Sequence, residues 1–153
     1  MFKKMFLSVL FLLSSFSLLN AQNFAAGVIL GEPTGLSFTV NQGRGGFWDF
    51  GLAYSLDKND NLHFHVDRLW SSPLANENGM RTRLYYGIGG RLLSHEKGGG
   101  DDELRLALRA PLGLSFRFRR SPVELFVEGA LLMDVVPSTE TDFNAGVGLR
   151  YHF

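Results

Sequence analysis

From Phe24 onward the chain alternates apolar positions with polar or small ones in short runs, and Gly, Pro, Asn, Asp and Ser collect between the runs. Alternation of period two places successive side chains on opposite faces of a strand. Turn residues between such runs predict an all-β chain. Eight strands are expected, over residues 24–30, 36–42, 47–56, 62–70, 81–93, 103–118, 123–133 and 143–153. The last is the most regular. Phe143, Ala145, Val147, Leu149, Tyr151 and Phe153 share one face, and Asn144, Gly146, Gly148, Arg150 and His152 share the other. Between strands the expected turns and loops are 31–35, 41–46, 57–61, 71–80, 94–102, 119–122 and 134–142. The stretch 71–80 is long for a turn. Pro111 falls inside the sixth run and lacks a backbone donor, so a bulge or an early end to regular pairing is expected there.

Period two alone suits a soluble barrel or sandwich equally well, so the contents of the two faces must decide. The polar face does not look solvated. Lys58 and Lys97 fall in expected loops, and the polar sides of the strands hold arginines among glycines, serines and alanines. Small residues leave room for long ones, which suits a narrow interior where guanidinium forks meet carboxylates. The expected interior network is Arg83, Arg91, Arg105, Arg109, Arg117 and Arg150 with Asp49, Asp67, Glu124 and Glu128. Turned toward lipid, each arginine would cost roughly 2–4 kcal/mol near the midplane. The apolar face carries Trp48, Phe50, Tyr54, Phe64, Trp70, Tyr86, Phe116, Phe118, Phe143, Tyr151 and Phe153, too much bulk for the inside of a small barrel. Arg68 is the exception, a charged residue on the apolar side of the fourth strand. The pattern therefore predicts an all-β, eight-stranded antiparallel up-and-down transmembrane β-barrel with the apolar face outward.

The first residues add an address. Lys3 and Lys4 precede an apolar run broken only by serines, and Asn20-Ala21-Gln22 follows. This is the form of a secretory signal, expected at residues 1–21 with cleavage after Ala21, and the barrel would occupy 22–153. An N-terminal membrane anchor is the alternative, but a run of about fifteen residues is shorter than the ~20 that a spanning helix needs. The chain has 15 basic and 15 acidic residues, so without Lys3 and Lys4 its balance is about two negative, and no basic patch points to nucleic acid. Without any cysteine, neither disulfides nor an N-terminal lipid-carrying thiol can contribute. No linker or low-complexity tract divides the chain.

Three segments carry a resemblance. They are Gly31-Glu32-Pro33-Thr34-Gly35, Tyr85-Tyr86-Gly87-Ile88-Gly89-Gly90-Arg91, and Val136-Pro137-Ser138-Thr139 leading into the closing run Asn144 to Phe153. Together they resemble a group of small, mostly uncharacterised bacterial outer-membrane barrel proteins. The resemblance covers nearly the whole mature chain, implies an OmpA/OmpX-type eight-stranded barrel, and brings no catalytic residues with it. The closing pattern is also similar to the signal read by the barrel-assembly machinery, which would make Tyr151 and Phe153 assembly residues.

Candidate chemistry is confined to His63, His65 and Asp67, three alternate residues on one face. They can be read as interior polar groups, as a two-histidine, one-carboxylate metal set, or as part of a catalytic arrangement. No motif fixes a serine near them, so the structural reading leads. Gly98-Gly99-Gly100 lacks the Lys-Ser/Thr of a phosphate loop.

The sequence thus predicts a non-enzymatic integral outer-membrane protein without a cofactor. Its partners would be outer-membrane lipid and, during biogenesis, the barrel-assembly machinery, and its role would lie in envelope structure or surface interaction. A lipid-modifying enzyme using His63, His65 or His95 is the alternative, and a soluble periplasmic lipocalin-like binding barrel is a weaker one.

Overall fold

The computed structural model describes residues 23–32, 34–43, 45–55, 61–97 and 101–153. The expected leader, residues 57–60 of the first polar loop, and Gly98, Gly99 and Gly100 lie outside the described residues. Eight strands run in chain order: β1 (Phe24–Glu32), β2 (Thr34–Asn41), β3 (Gly46–Ser55), β4 (Asn61–Glu77), β5 (Met80–Lys97), β6 (Asp101–Phe118), β7 (Val123–Val136) and β8 (Thr141–His152). Each pairs antiparallel with the next, and β8 returns to β1, so the sheet is a closed barrel. Closure leaves no full-length edge strand to protect. Phe153 N donates to Phe24 O at 3.0 Å, so both ends of the barrel-forming chain lie at the same rim.

The alternation read from the sequence is the alternation of the wall. Outward side chains are apolar and exposed, among them Leu30, Ile88, Leu131 and Phe143, each more than half accessible. Inward side chains are buried, and many are polar: Asp49, Asp67, Arg109 and Arg150 are at most 3% exposed. A water-soluble barrel has the opposite distribution.

The wall has room for large inward residues because glycine stands beside them. Phe126 faces Gly148, Tyr85 faces Gly113, His65 faces Gly51, Asp67 faces Gly89 and Leu69 faces Gly87 across adjacent strands. In each pair the larger side chain lies over its glycine, where an added Cβ would collide with it. These glycines supply space next to bulky neighbours, a recurrent device of barrel walls.

Strand ends differ from expectation in instructive places. Residues 71–80 were expected to form a long turn, but β4 continues to Glu77 and the turn is only Asn78-Gly79. Both turn residues have positive φ, 51° and 78°, as a two-residue hairpin requires. The extension escapes an alternation test because it reaches past the apolar belt. Here β3 already begins at Gly46 opposite Trp70, Ser71 N still donates to Gly45 O at 2.8 Å, and Ser72–Glu77 pairs with β5 alone. Pro73 is tolerated on this half-free segment, and the register shifts between Pro73 and Ala75. At the opposite end β5 reaches Lys97, β6 starts at Asp101 and β7 runs on to Val136, into segments expected to be loops.

Of the bulge or early end to pairing expected at Pro111, no bulge forms, and pairing is interrupted only locally. Pro111 sits opposite Ala130 in continuous register with β7, and only the β5 side is interrupted, between the pairs Tyr86–Leu112 and Gly89–Arg109. Register is the same on both sides of that gap, so the missing donor costs local pairing without displacing the strand. The shift in β6 lies at Leu106/Ala107 instead.

Candidate functional site

The barrel interior brings together residues that are far apart in the chain, in three groups. In the first, Arg150 of β8 donates from Nη2 to Asp49 Oδ1 at 2.7 Å and from Nε to Ser37 Oγ at 2.9 Å. Its Nη1 lies 3.5 Å from Glu124 Oε1, and its guanidinium stacks over Phe126 at 3.8 Å from the ring centroid. Glu124 also meets His152 Nε2 at 3.0 Å. Inward residues of β2, β3, β7 and β8 therefore converge on one arginine.

The second group is centred on Arg109 of β6. Its two terminal nitrogens donate to Asp67 of β4 and to Glu128 of β7, and the Tyr85 hydroxyl donates to Glu128 Oε2 at 3.0 Å. A planar fork holding two carboxylates from strands on either side ties β4, β5, β6 and β7 together across the interior. The third group lies toward the far rim. Arg91 Nη2 donates to Asp134 Oδ1 at 2.8 Å, and Arg105 Nη2 lies 2.7 Å from Asp134 Oδ2 and 2.9 Å from Glu140 Oε2. Asp142 approaches Arg91 at 3.6 Å.

Of the residues expected in the network, Asp49, Asp67, Arg91, Arg105, Arg109, Glu124, Glu128 and Arg150 join these groups. Arg83 and Arg117 do not. They line the open mouth at the rim that carries the chain ends, a cavity of about 60 Å³ bordered also by Thr39, Asn41, Tyr85 and Ser115. Neither forms an ion pair among the described residues, because the carboxylate nearest in the cavity lining, Glu124, is held by Arg150 and His152. Asp134, Glu140 and Asp142 join the third group from a segment whose sequence predicts a loop. For Asp134 a signal was present: Glu124, Phe126, Glu128, Ala130, Leu132 and Asp134 keep one parity throughout β7.

The histidine cluster is arranged differently from the triplet read along the strand. His63 Nε2 and His65 Nδ1 lie 3.2 Å apart, so one ring donates to the other. His65 Nε2 faces Asp49 Oδ2 at 3.4 Å and Asp67 Oδ2 at 3.9 Å. The three groups close enough to share a cation are therefore Asp49, His65 and Asp67, without His63. They suit one poorly. Each carboxylate already accepts from a buried guanidinium, Asp49 from Arg150 and Asp67 from Arg109, so a dication would sit among positive charges that have neutralised its ligands. Both imidazoles are buried inside the barrel, at 3% and 4% exposure, out of reach of acyl chains on the outer wall. The side chain of His95 lies outside the described residues.

Comparison with known proteins places this geometry in a fold. No protein-family profile matches the chain, and no curated protein matches it in sequence. Among solved structures, it is similar to the N-terminal β-barrel domain of Pseudomonas aeruginosa OprF, at 14% identity and a TM-score of 0.57, over 86% of this chain and 98% of that one. It is also similar to Neisserial surface protein A, NspA, at 13% identity and a TM-score of 0.52, over 85% of this chain and 94% of that one. At these identities the likeness is one of fold. The protein is, in fold, an OmpA/OmpX-like eight-stranded barrel, the class that its motifs resemble.

Proposed function

We propose that this protein is a non-enzymatic integral outer-membrane barrel, with a closed, side-chain-filled interior and a role in envelope structure or surface interaction. One observation carries the reading: the wall is apolar on its outside while ion pairs occupy its inside. Buried charge is stable only with partners in place, and an apolar exterior of this extent is stable only in contact with lipid. Export by residues 1–21 and assembly by the barrel-assembly machinery belong to the same reading, with the rim of Phe24 and Phe153 toward the periplasm.

A lipid-modifying activity through His63 or His65 would need that imidazole at the lipid surface, and both are enclosed. A lipocalin-like binding barrel would need an apolar pocket, and the interior is lined by arginines and carboxylates. Function as a channel is opposed by the side chains of Arg150, Phe126, Tyr85 and Arg109, all of them buried inside the barrel. The test has two parts. The membrane-fraction protein should migrate faster on a detergent gel unboiled than boiled, and the purified barrel in a planar bilayer should show no steady, large conductance. Release from washed membranes by carbonate alone would overturn the membrane reading, and a stable open pore would overturn the filled interior.

A further inference from the structure

Arg68 is the inward rule's exception. It lies on the outward face of β4, opposite Trp48 on β3 and Ile88 on β5, two positions before Trp70. Its guanidinium carbon is 5.3 Å from the centroid of the Trp48 ring and 5.8 Å from that of Trp70. Gly46, opposite Trp70, leaves the space into which it folds: a Cβ there would stand 2.7 Å from Arg68 Nη2. No carboxylate and no hydrogen-bond acceptor serves this guanidinium among the described residues, and Nη1 is buried without a partner. The same end of the barrel carries Arg81, Arg83, Arg117, Arg119 and Arg120, with Glu77 and Glu124 as acidic side chains beside them among the described residues.

A lipid-facing arginine is costly at the midplane of a bilayer and far better tolerated near an interface, so its depth matters. Two tryptophans mark that depth, since tryptophan concentrates at the headgroup level. Both rings lie within cation–π distance of the guanidinium, Arg68 as a whole is only half-buried, and the planar fork of arginine matches the oxygens of a phosphate. The acceptor available at that level of a bilayer is a lipid phosphate. We propose that Arg68, held between Trp48 and Trp70 beside Gly46, binds the phosphate of a membrane phospholipid on the outer wall, at the rim carrying the chain ends.

This rests on the membrane-inserted reading above, and the two fail separately. The mature barrel is refolded in detergent micelles, and heat-modifiable migration establishes folding for every sample. Native mass spectrometry then follows retention of phosphatidylglycerol, of the diacylglycerol with the same tails, and of inorganic phosphate. Phosphatidylglycerol should be retained above both others, and Arg68→Gln should lower its bound fraction about fivefold. Trp70→Leu, which keeps the charge and removes one ring face, should lower it about threefold. Unchanged retention in folded Arg68→Gln would overturn the site. So would equal retention of diacylglycerol, since phosphate would then go unrecognised, or retention of inorganic phosphate equal to that of the lipid. A wild-type chain that does not form a heat-modifiable barrel would overturn the membrane reading instead.

Discussion

Arg150 on β8 reaches Asp49 on β3 at 2.7 Å although 101 residues separate them, and both side chains are 2% exposed. A pair so enclosed is stable only while both members are present. Arg150→Leu leaves the buried Asp49 carboxylate without its guanidinium, facing only Ser37 and His65, and is expected to cost about 3–5 kcal/mol. Urea unfolding of the refolded barrel, followed by the fluorescence of Trp48 and Trp70, reads the loss. The double variant Asp49→Leu/Arg150→Leu should cost clearly less than the two single changes added together, because no unmatched charge remains from this pair. Simple additivity would mean that the two residues do not act as a pair.

Asp134 is shared by two arginines that should not be equal. The Arg91 side chain is 6% exposed and the Arg105 side chain 29%. Arg91→Gln is expected to destabilise by about 3 kcal/mol, as loss of a buried partner does. Arg105→Gln should cost under about 1 kcal/mol, with an effect that shrinks in high salt. Equal losses in the same urea titration would contradict this ordering.

Glycine should matter by face. An alanine at Gly148 places its Cβ against the Phe126 ring inside the barrel, and Gly148→Ala is expected to cost about 1–3 kcal/mol. Gly90 faces outward, where an added Cβ meets nothing nearer than Ala107 O at 3.8 Å. Gly90→Ala should therefore stay within about 0.5 kcal/mol of the parent. A reversal of the two would mean that the wall is packed otherwise.

Divalent metal should not settle on the Asp49, His65 and Asp67 cluster. After dialysis against Zn²⁺ or Mn²⁺, elemental analysis of the folded barrel is expected to find no stoichiometric ion. One equivalent of metal that disappears in His65→Ala would show that the carboxylates leave Arg150 and Arg109 for a cation.

The alternation of each strand was legible locally, because side-chain direction in a strand has period two whatever the neighbours are. Strand number, the outward apolar face and the inward arginines followed from it. The extension of β4 to Glu77 was not legible, since Ser72 to Glu77 leaves the apolar belt and pairs on one side only. Asp134 was half legible: its parity agrees with Glu124 and Glu128, but parity alone does not say where a strand stops.

Partnership inside the barrel was decided only by the tertiary structure. Arg83 and Arg109 have the same parity relative to their strands and the same chemistry, yet one stands at an open mouth and the other holds Asp67 and Glu128. His63 and His65 look equivalent along β4, yet only His65 reaches Asp49. What the sequence determined by itself is the sign of each face, because burial of charge and exposure of apolar surface depend on residue type and position parity. What it could not determine is which charge meets which, because that depends on the stagger between strands, a property of the closed sheet as a whole.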